Sequence, residues 1–335
     1  MVSAIICHHR GTLLYRALET LLESKGIDLE IIVATSLDLK DRIIQEFHVK
    51  HPEIKFMKID GGPARKRNYA AQFAHGEYIA FFDDDVEVEP DCVFEMLKVL
   101  NDKSCSMVFG KLRNMEFRER FDEAGSFLTY TGFLWARAES GIDDEGQFDE
   151  EEPILAGKSA SCMIRRLKFN EINGFDISFE ILGEETDLAW RVWLSGGEVY
   201  WAPKSVAYHA FNTKFKPKDF YTNERIYFNG CRNYLTMLLK NLGNWNLWIV
   251  PFHTLAWCVA AFGMILTGKP KSSWNILRGL AYVYSHLDKI WKLRLQIQQN
   301  RVISEYQLFQ IVLRQPSVSF YILRMLRYWQ TGLHG

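Results

Sequence analysis

The chain has 335 residues, 48% hydrophobic and 24% charged, which excludes a disordered or fibrous polypeptide. That length exceeds what one core usually organises and predicts a large domain with an appendage. The net charge of −1 conceals an asymmetry: residues 269–335 carry ten Lys/Arg against Asp288 and Glu305, a balance of +8, which leaves −9 on the remainder. An acidic body with a basic tail predicts separate jobs for two surfaces and gives no footprint for nucleic acid.

In chain order, Val2–Cys7 reads as a short apolar strand and Leu13–Glu23 as a helix with Leu14, Leu18, Leu21 and Leu22 on its face. Leu29–Ala34 is a second strand, Leu39–Phe47 a helix, and Ile54–Ile59 a third strand. Asp60-Gly61-Gly62-Pro63 then turns into a helix reaching about Ala74, with Pro63 suited to its first turn. Glu77–Phe82 is the fourth strand. Strands apolar on both faces, alternating with helices, predict an α/β fold with a mostly parallel sheet flanked by helices. Ligands bind beyond the carboxyl ends of such strands. The polar clusters His8-His9-Arg10, Thr35-Ser36, Asp60-Gly61 and Asp83-Asp84-Asp85 fall there.

Residues 110–152 give little periodicity, and the acidic stretch from Asp143 to Glu152 reads as a solvated or mobile loop. Regular structure resumes at Ile154–Arg166, Trp190–Leu194 and Glu198–His209. The six cysteines form no C-x-x-C pair or zinc spacing, which predicts free thiols and a reduced, cytosolic setting. No signal-peptide pattern opens the chain.

Three adjacent carboxylates at a strand end repel one another unless a divalent, oxygen-preferring cation such as Mg²⁺ or Mn²⁺ neutralises them. On a strand Asp83 and Asp85 point to one side and can share that cation, while Asp84 points away. The competing interpretation is an acidic turn or helix cap. A second acidic group, Glu184-Glu185-Thr186-Asp187, precedes an amphipathic helix, and His209 ends an apolar strand.

The order of these segments resembles the family 2 glycosyltransferases, inverting enzymes of the GT-A fold, over roughly residues 2–212. The resemblance runs through Ile5-Ile6-Cys7-His8-His9-Arg10, Glu30-Ile31-Ile32-Val33, Asp60 to Asn68, Gly76 to Asp85, Asn173-Gly174-Phe175-Asp176, Glu184 to Arg191, and His209. It implies transfer of a sugar from a nucleotide-sugar donor to a glycan acceptor. Asp83, Asp85 and His209 would hold Mg²⁺ or Mn²⁺; Arg10, Thr35, Arg65, Arg67, Asn68 and Asp84 would bind the nucleotide sugar. By position Glu185 matches the catalytic base, with Asp187 in reserve and Glu184 and Arg191 on the acceptor side. The chain departs from the pattern at His8-His9 in the first turn, at Thr35 where the family has a base-binding Asp, and at Glu184-Glu185 where it has Glu-Asp. Thr35 motivates a second reading, a catalytically inactive sugar-binding scaffold. A sugar-phosphate nucleotidyltransferase is a third, although His8-His9-Arg10-Gly11 is not the glycine-rich loop that class uses.

These features divide the chain into a catalytic domain, 1–215, and an aromatic, basic helical region, 216–335. Asn241–Gly268 contains no Asp, Glu, Lys or Arg in 28 residues. As one helix it would extend ~42 Å, enough for a bilayer core of ~30 Å. A single span would put the +8 tail opposite a cytosolic body, against the positive-inside tendency. Monotopic or re-entrant attachment to the cytoplasmic face of a membrane is therefore expected, beside a lipid-linked glycan acceptor. Val318, Ile322, Met325 and Trp329 share one helical face, with Arg324 and Arg327 displaced from it, as in an interfacial helix. The alternative is that both segments pack on the catalytic domain as ordinary core helices.

Overall fold

The computed structural model describes residues 1–8, 13–138, 141–210, 223–319 and 321–322. The strands are β1 (Val2–His8), β2 (Leu29–Thr35), β3 (Lys55–Lys58), β4 (Tyr78–Asp83), β5 (Val86–Val88), β6 (Met107–Asn114), β7 (Phe121–Glu123), β8 (Ser126–Leu128), β9 (Leu134–Ala136), β10 (Ser161–Arg165) and β11 (Val199–His209). Eight of them form a path in the order β3-β2-β1-β4-β10-β6-β11-β5, and β7 pairs with β6 off that path. β1 to β4 lie in parallel register, whereas β10 runs antiparallel to both β4 and β6. The sheet is thus mixed beyond the four strands that the alternating pattern identifies.

Both faces of the sheet are covered. Ile5 and Phe81 belong to one core, while their chain neighbours Ala4, Ile6, Ala80 and Phe82 belong to the other. That is the period-two alternation of a strand buried on both sides. Helices α1 (Leu14–Leu22), α2 (Arg42–Lys50) and α4 (Cys92–Asp102) put Leu18, Phe47 and Met96 into the second core. Helices α3 (Pro63–Ala71), α5 (Arg166–Glu171) and α6 (Glu184–Leu194) put Ala64, Phe169 and Trp190 into the first.

The helices that follow, α7 (Asn223–Asn241), α8 (Ile249–Leu266), α9 (Pro270–Ser285), α10 (Leu287–Gln299) and α11 (Glu305–Val312), add Leu235, Met264, Ile276, Ile290 and Leu308 to that same first core. Asn241–Gly268 is not one helix. α7 stops at Asn241, a 3-10 turn occupies Asn244–Asn246, and α8 is 18 residues long, about 27 Å. The break is held by side chains from later helices. Arg294 donates to the Leu239 and Leu242 carbonyls, and Glu305 accepts from Gly243 N–H at 2.6 Å. The Arg294 bonds satisfy carbonyls that a helix end leaves open, and Glu305 satisfies an N–H just beyond it.

The acidic stretch is also less solvated than its composition suggests. The Asp144 side chain is 1% exposed and accepts from Lys111 and Arg113, two cations of β6 that draw it inward. Of the expected tail helix, Met325 and Trp329, with Arg324 and Arg327, lie outside the described residues.

Candidate active site

The strand ends assemble a carboxylate-rich centre. Asp83 is the last residue of β4. β5 turns back immediately after Asp85 and pairs antiparallel with β11, placing His209 opposite Val86. The Ala210 N–H donates to the Asp85 carbonyl at 3.0 Å, fixing the close approach. Each of Asp83, Asp85 and His209 offers a ligand atom, and these atoms lie within 4.8 Å of one another. Two carboxylates and an imidazole suit a hard or borderline divalent cation, so the donor set fits the Mg²⁺ or Mn²⁺ expected from the sequence.

His209 bridges two carboxylates, with Nε2 3.4 Å from Asp85 and Nδ1 2.8 Å from Asp122. Burial disfavours its charge, but Asp85 and Asp122 outweigh burial and lift its pKa to about 9. A cation at Nε2 would stand where that proton sits.

Arg67 links this centre to the second acidic group. Its guanidinium is 1% exposed, donates to Asp83 at 2.7 Å and to Glu184 at 3.3 Å, and lies over the Phe175 ring. Despite burial, chiefly Asp83 and also Glu184 hold it firmly charged. Glu185 is the neighbour of Glu184 at the start of α6. Burial first, and then the Glu184 charge, push its pKa well above the usual carboxylate range.

Asp187 has the opposite surroundings. It is fully buried, accepting from Arg191 at 2.8 Å and Asn241 at 3.0 Å, with Lys240 Nζ 3.0 Å away. Arg191 also donates to the Ile172 carbonyl, so the pair ties α6 to the preceding turn and to α7. Asn68 has a similar framing position: its amide donates to the Phe175 carbonyl and accepts the Phe175 N–H. That contact requires tight turns. Gly174 has φ +62°, and a Cβ there would stand 2.6 Å from Asn68 Oδ1; at Gly62 a Cβ would meet the Glu180 carbonyl at 2.3 Å.

At the ends of β1 and β2, Thr35 is buried and its hydroxyl accepts from the Leu37 N–H. His8 Nδ1 lies 2.9 Å from that hydroxyl, and its Nε2 lies 3.7 Å from Asp84. Asp84 therefore faces the first turn, away from the pair that shares the cation site. Lys66, buried like Arg67 while Arg65 is exposed, donates to the His8 carbonyl at 2.6 Å. Arg10 lies outside the described residues.

Sequence reasoning assigned no role to His8, Lys66, Asp122 or Lys158. The run Arg65-Lys66-Arg67 gave a signal for Lys66, whose period on α3 turns it inward. Asp122 sits in the segment without periodicity and gave none.

Residues 3–172 match glycosyl transferase family 2. The chain belongs to that family. It is 25% identical to probable N-acetylgalactosaminyltransferase 8 of Caenorhabditis elegans over 240 residues, which cover 63% of the chain and 55% of that relative. The chain thus spans only about half of the relative's length. Staphylococcus aureus TarS 1–349, solved with UDP-GlcNAc, superposes over 90% of the chain and 87% of its own, with TM-score 0.58 and 15% identity. GalNAc-T7, solved with UDP, GalNAc and Mn²⁺, superposes over 72% of the chain and 48% of its own, with TM-score 0.56 and 15% identity. At those identities the likeness establishes the GT-A-type fold. A helical C-terminal region follows the residues that match the family.

Proposed function

We propose that this glycosyltransferase moves a hexosyl or deoxyhexosyl unit from a nucleoside-diphosphate donor to a lipid-linked glycan, with inversion, in a divalent-cation-dependent reaction. The observation that carries the reading is the convergence of Asp83, Asp85 and His209 on one side of Arg67 with Glu184 and Glu185 on the other. A cation held by the first set supplies Lewis-acid stabilisation of the departing diphosphate. The imidazole beside two carboxylates favours Mn²⁺ over Mg²⁺. Exposed Arg65 adds a positive charge at the start of α3, where backbone N–H groups also suit phosphate. Asp84 faces the ribose. Thr35, engaged by Leu37 and His8, leaves no carboxylate for the base edge, so base choice rests on neighbouring groups.

Glu185 takes the proton of the attacking acceptor hydroxyl. The new carbon–oxygen bond forms on the face opposite the breaking bond to the diphosphate, which departs with the electron pair. The upward shift brings the carboxylate closer to the proton affinity that such a base needs at neutral pH. Arg67 pairs with Asp83 and Glu184 beside it. Asp187, Asn68 and Arg191 hold the frame. The TarS and GalNAc-T7 structures, obtained with UDP-GlcNAc and with UDP and Mn²⁺, support a nucleotide-sugar donor and Mn²⁺.

The domain division at about residue 215 and the cytoplasmic membrane face are part of the same proposal. Within Asn244–Leu266 an apolar 18-residue window has a mean hydropathy of 1.9, and only 33% of that window is buried. Trp248, Phe252, Leu255, Val259, Phe262 and Leu266 follow a 3-4 spacing, and all are exposed. Adjacent α9 and α10 carry exposed Lys271, Lys289 and Lys292, suited to an anionic leaflet. A lipid-linked acceptor would be presented beside that surface.

The reading is tested by incubating the protein with UDP- and GDP-sugars, Mn²⁺ and undecaprenyl- or lipid A-linked glycans. The anomeric configuration of the product is then read by NMR. Transfer with inversion, abolished by EDTA, is expected. Transfer undiminished in EDTA removes the cation, and a retained configuration removes direct displacement by Glu185. Donor stabilisation of the fold without any turnover would favour the scaffold reading motivated by Thr35.

A further inference from the structure

Asp122 belongs to neither acidic motif, yet it is built into the centre. β7 pairs antiparallel with β6 through Leu112 with Glu123 and Arg113 with Phe121, so consecutive residues of β6 face residues two apart on β7. Asp122 is the extra residue of a β-bulge, a device that re-aims a side chain. The bulge directs it to the end of β11, where its Oδ2 lies 2.8 Å from His209 Nδ1. Both side chains are nearly inaccessible, at 1% and 5% exposure. Lys158 donates to the other carboxylate oxygen at 2.9 Å and to the Asp122 carbonyl at 3.2 Å, so the carboxylate cannot rotate without losing a charged partner. Despite burial, Lys158 and His209 keep Asp122 ionised well below the usual carboxylate range.

An imidazole can meet a cation through either nitrogen, and the partner of the other nitrogen decides which. Here a fixed anion holds Nδ1, leaving Nε2 directed at Asp85. We propose that Asp122 is a positioning residue for the cation site: it accepts the Nδ1–H of His209, fixes the ring with Nε2 toward Asp85, and so sets the affinity of the site for a divalent cation. The inference rests on reading Asp83, Asp85 and His209 as cation ligands. Asp122 does not touch the cation or the substrate.

Titration of the full-length protein with Mn²⁺ alone, followed by loss of the free-ion electron paramagnetic resonance signal, tests this without reference to activity. Five proteins suffice: wild type, Asp85→Asn, Asp122→Asn, His209→Ala and the double variant Asp122→Asn/His209→Ala. Asp122→Asn should weaken binding by roughly 10–100-fold, the range for a partner of a ligating histidine. The double variant should bind no more weakly than His209→Ala, because Asp122 acts only through that ring. Unchanged affinity in Asp122→Asn, or losses that multiply in the double variant, would overturn the inference while a weak Asp85→Asn leaves the cation site standing. Equal affinity of wild type and Asp85→Asn would remove the cation site and the inference with it. If Asp122→Asn loses its cooperative melt, Asp122→Ser in the same titration decides between the same outcomes.

Discussion

Glu185 and Asp187 lie two positions apart at the start of α6 and face opposite worlds. Glu185 is crowded by Glu184 and held above the ordinary carboxylate range, whereas Asp187 is ion-paired with Arg191 and Lys240 in the interior. Glu185→Gln should therefore lower the transfer rate by about 10²–10⁴-fold, the usual worth of a positioned base, with the melting temperature maintained. Asp187→Asn should do the reverse: stability falls by about 3 kcal/mol as a buried pair is broken, while turnover per folded molecule is largely kept. Steady-state rates and thermal melts on the two variants separate the roles, and a dead but stable Asp187→Asn would transfer the base to residue 187. The rate should also fall as pH drops through the raised Glu185 value, giving an acidic limb above the ordinary carboxylate region. Glu123 offers a purely thermodynamic case. Burial lifts its pKa from 4.5 to about 7. A carboxyl raised on folding loses stability as pH climbs from its unfolded to its folded value, and the loss persists above that. Glu123→Gln should thus stabilise the protein by on the order of 3 kcal/mol at pH 8 and by little at pH 5, as read by denaturant unfolding.

At the scale of elements, α8 combines a buried and an exposed apolar side. Ile249, His253 and Met264 pack inward, with His253 Nε2 2.8 Å from the Thr131 carbonyl, while Leu255 and Phe262 are 63% and 61% exposed. Exposed apolar rows of this length mark a surface that meets something. Leu255→Glu and Phe262→Glu should leave the melt unchanged and reduce co-flotation with vesicles containing anionic phospholipid several-fold. A wild-type protein that ignores such vesicles at low salt would return α8 to the role of an ordinary packing helix. The sequence shows this element only in part. An uncharged stretch of 28 residues announces itself by composition, but its division after Asn241 depends on Arg294 and Glu305, more than 50 residues later.

For the whole molecule, legibility follows the range of the interactions. β1, β2 and β4 are apolar on both faces and bounded by polar turns, so their order and the alignment of their carboxyl ends can be read locally. Asp83 and Asp85 are visible for the same reason, being adjacent to a strand whose direction is known. His209 required the ordered resemblance, because nothing near it in the chain points to β4. β7, β8 and β9 are three residues each, too short for any period to register, and they hid Asp122; the burial of Asp144 depends instead on Lys111 and Arg113 of β6, distant in the chain. Glu185 and Asp187 looked interchangeable, since Lys240 and Asn241 come from a helix some 50 residues further on.

β5 has one strand partner among the described residues, and that partner is β11. The consequence is temporal. During synthesis, Asp83 and Asp85 leave the ribosome long before His209, and until β11 arrives β5 is an edge with nothing to pair against. The parallel strands of the N-terminal half can settle first, but the group of Asp83, Asp85 and His209 closes only when β11 docks. An ion that binds the finished centre and not the partial one shifts the equilibrium by RT ln(1 + [L]/Kd) toward completed chains alone. The divalent ion would then act as a checkpoint on maturation, ratifying only those molecules whose final strand has found its place.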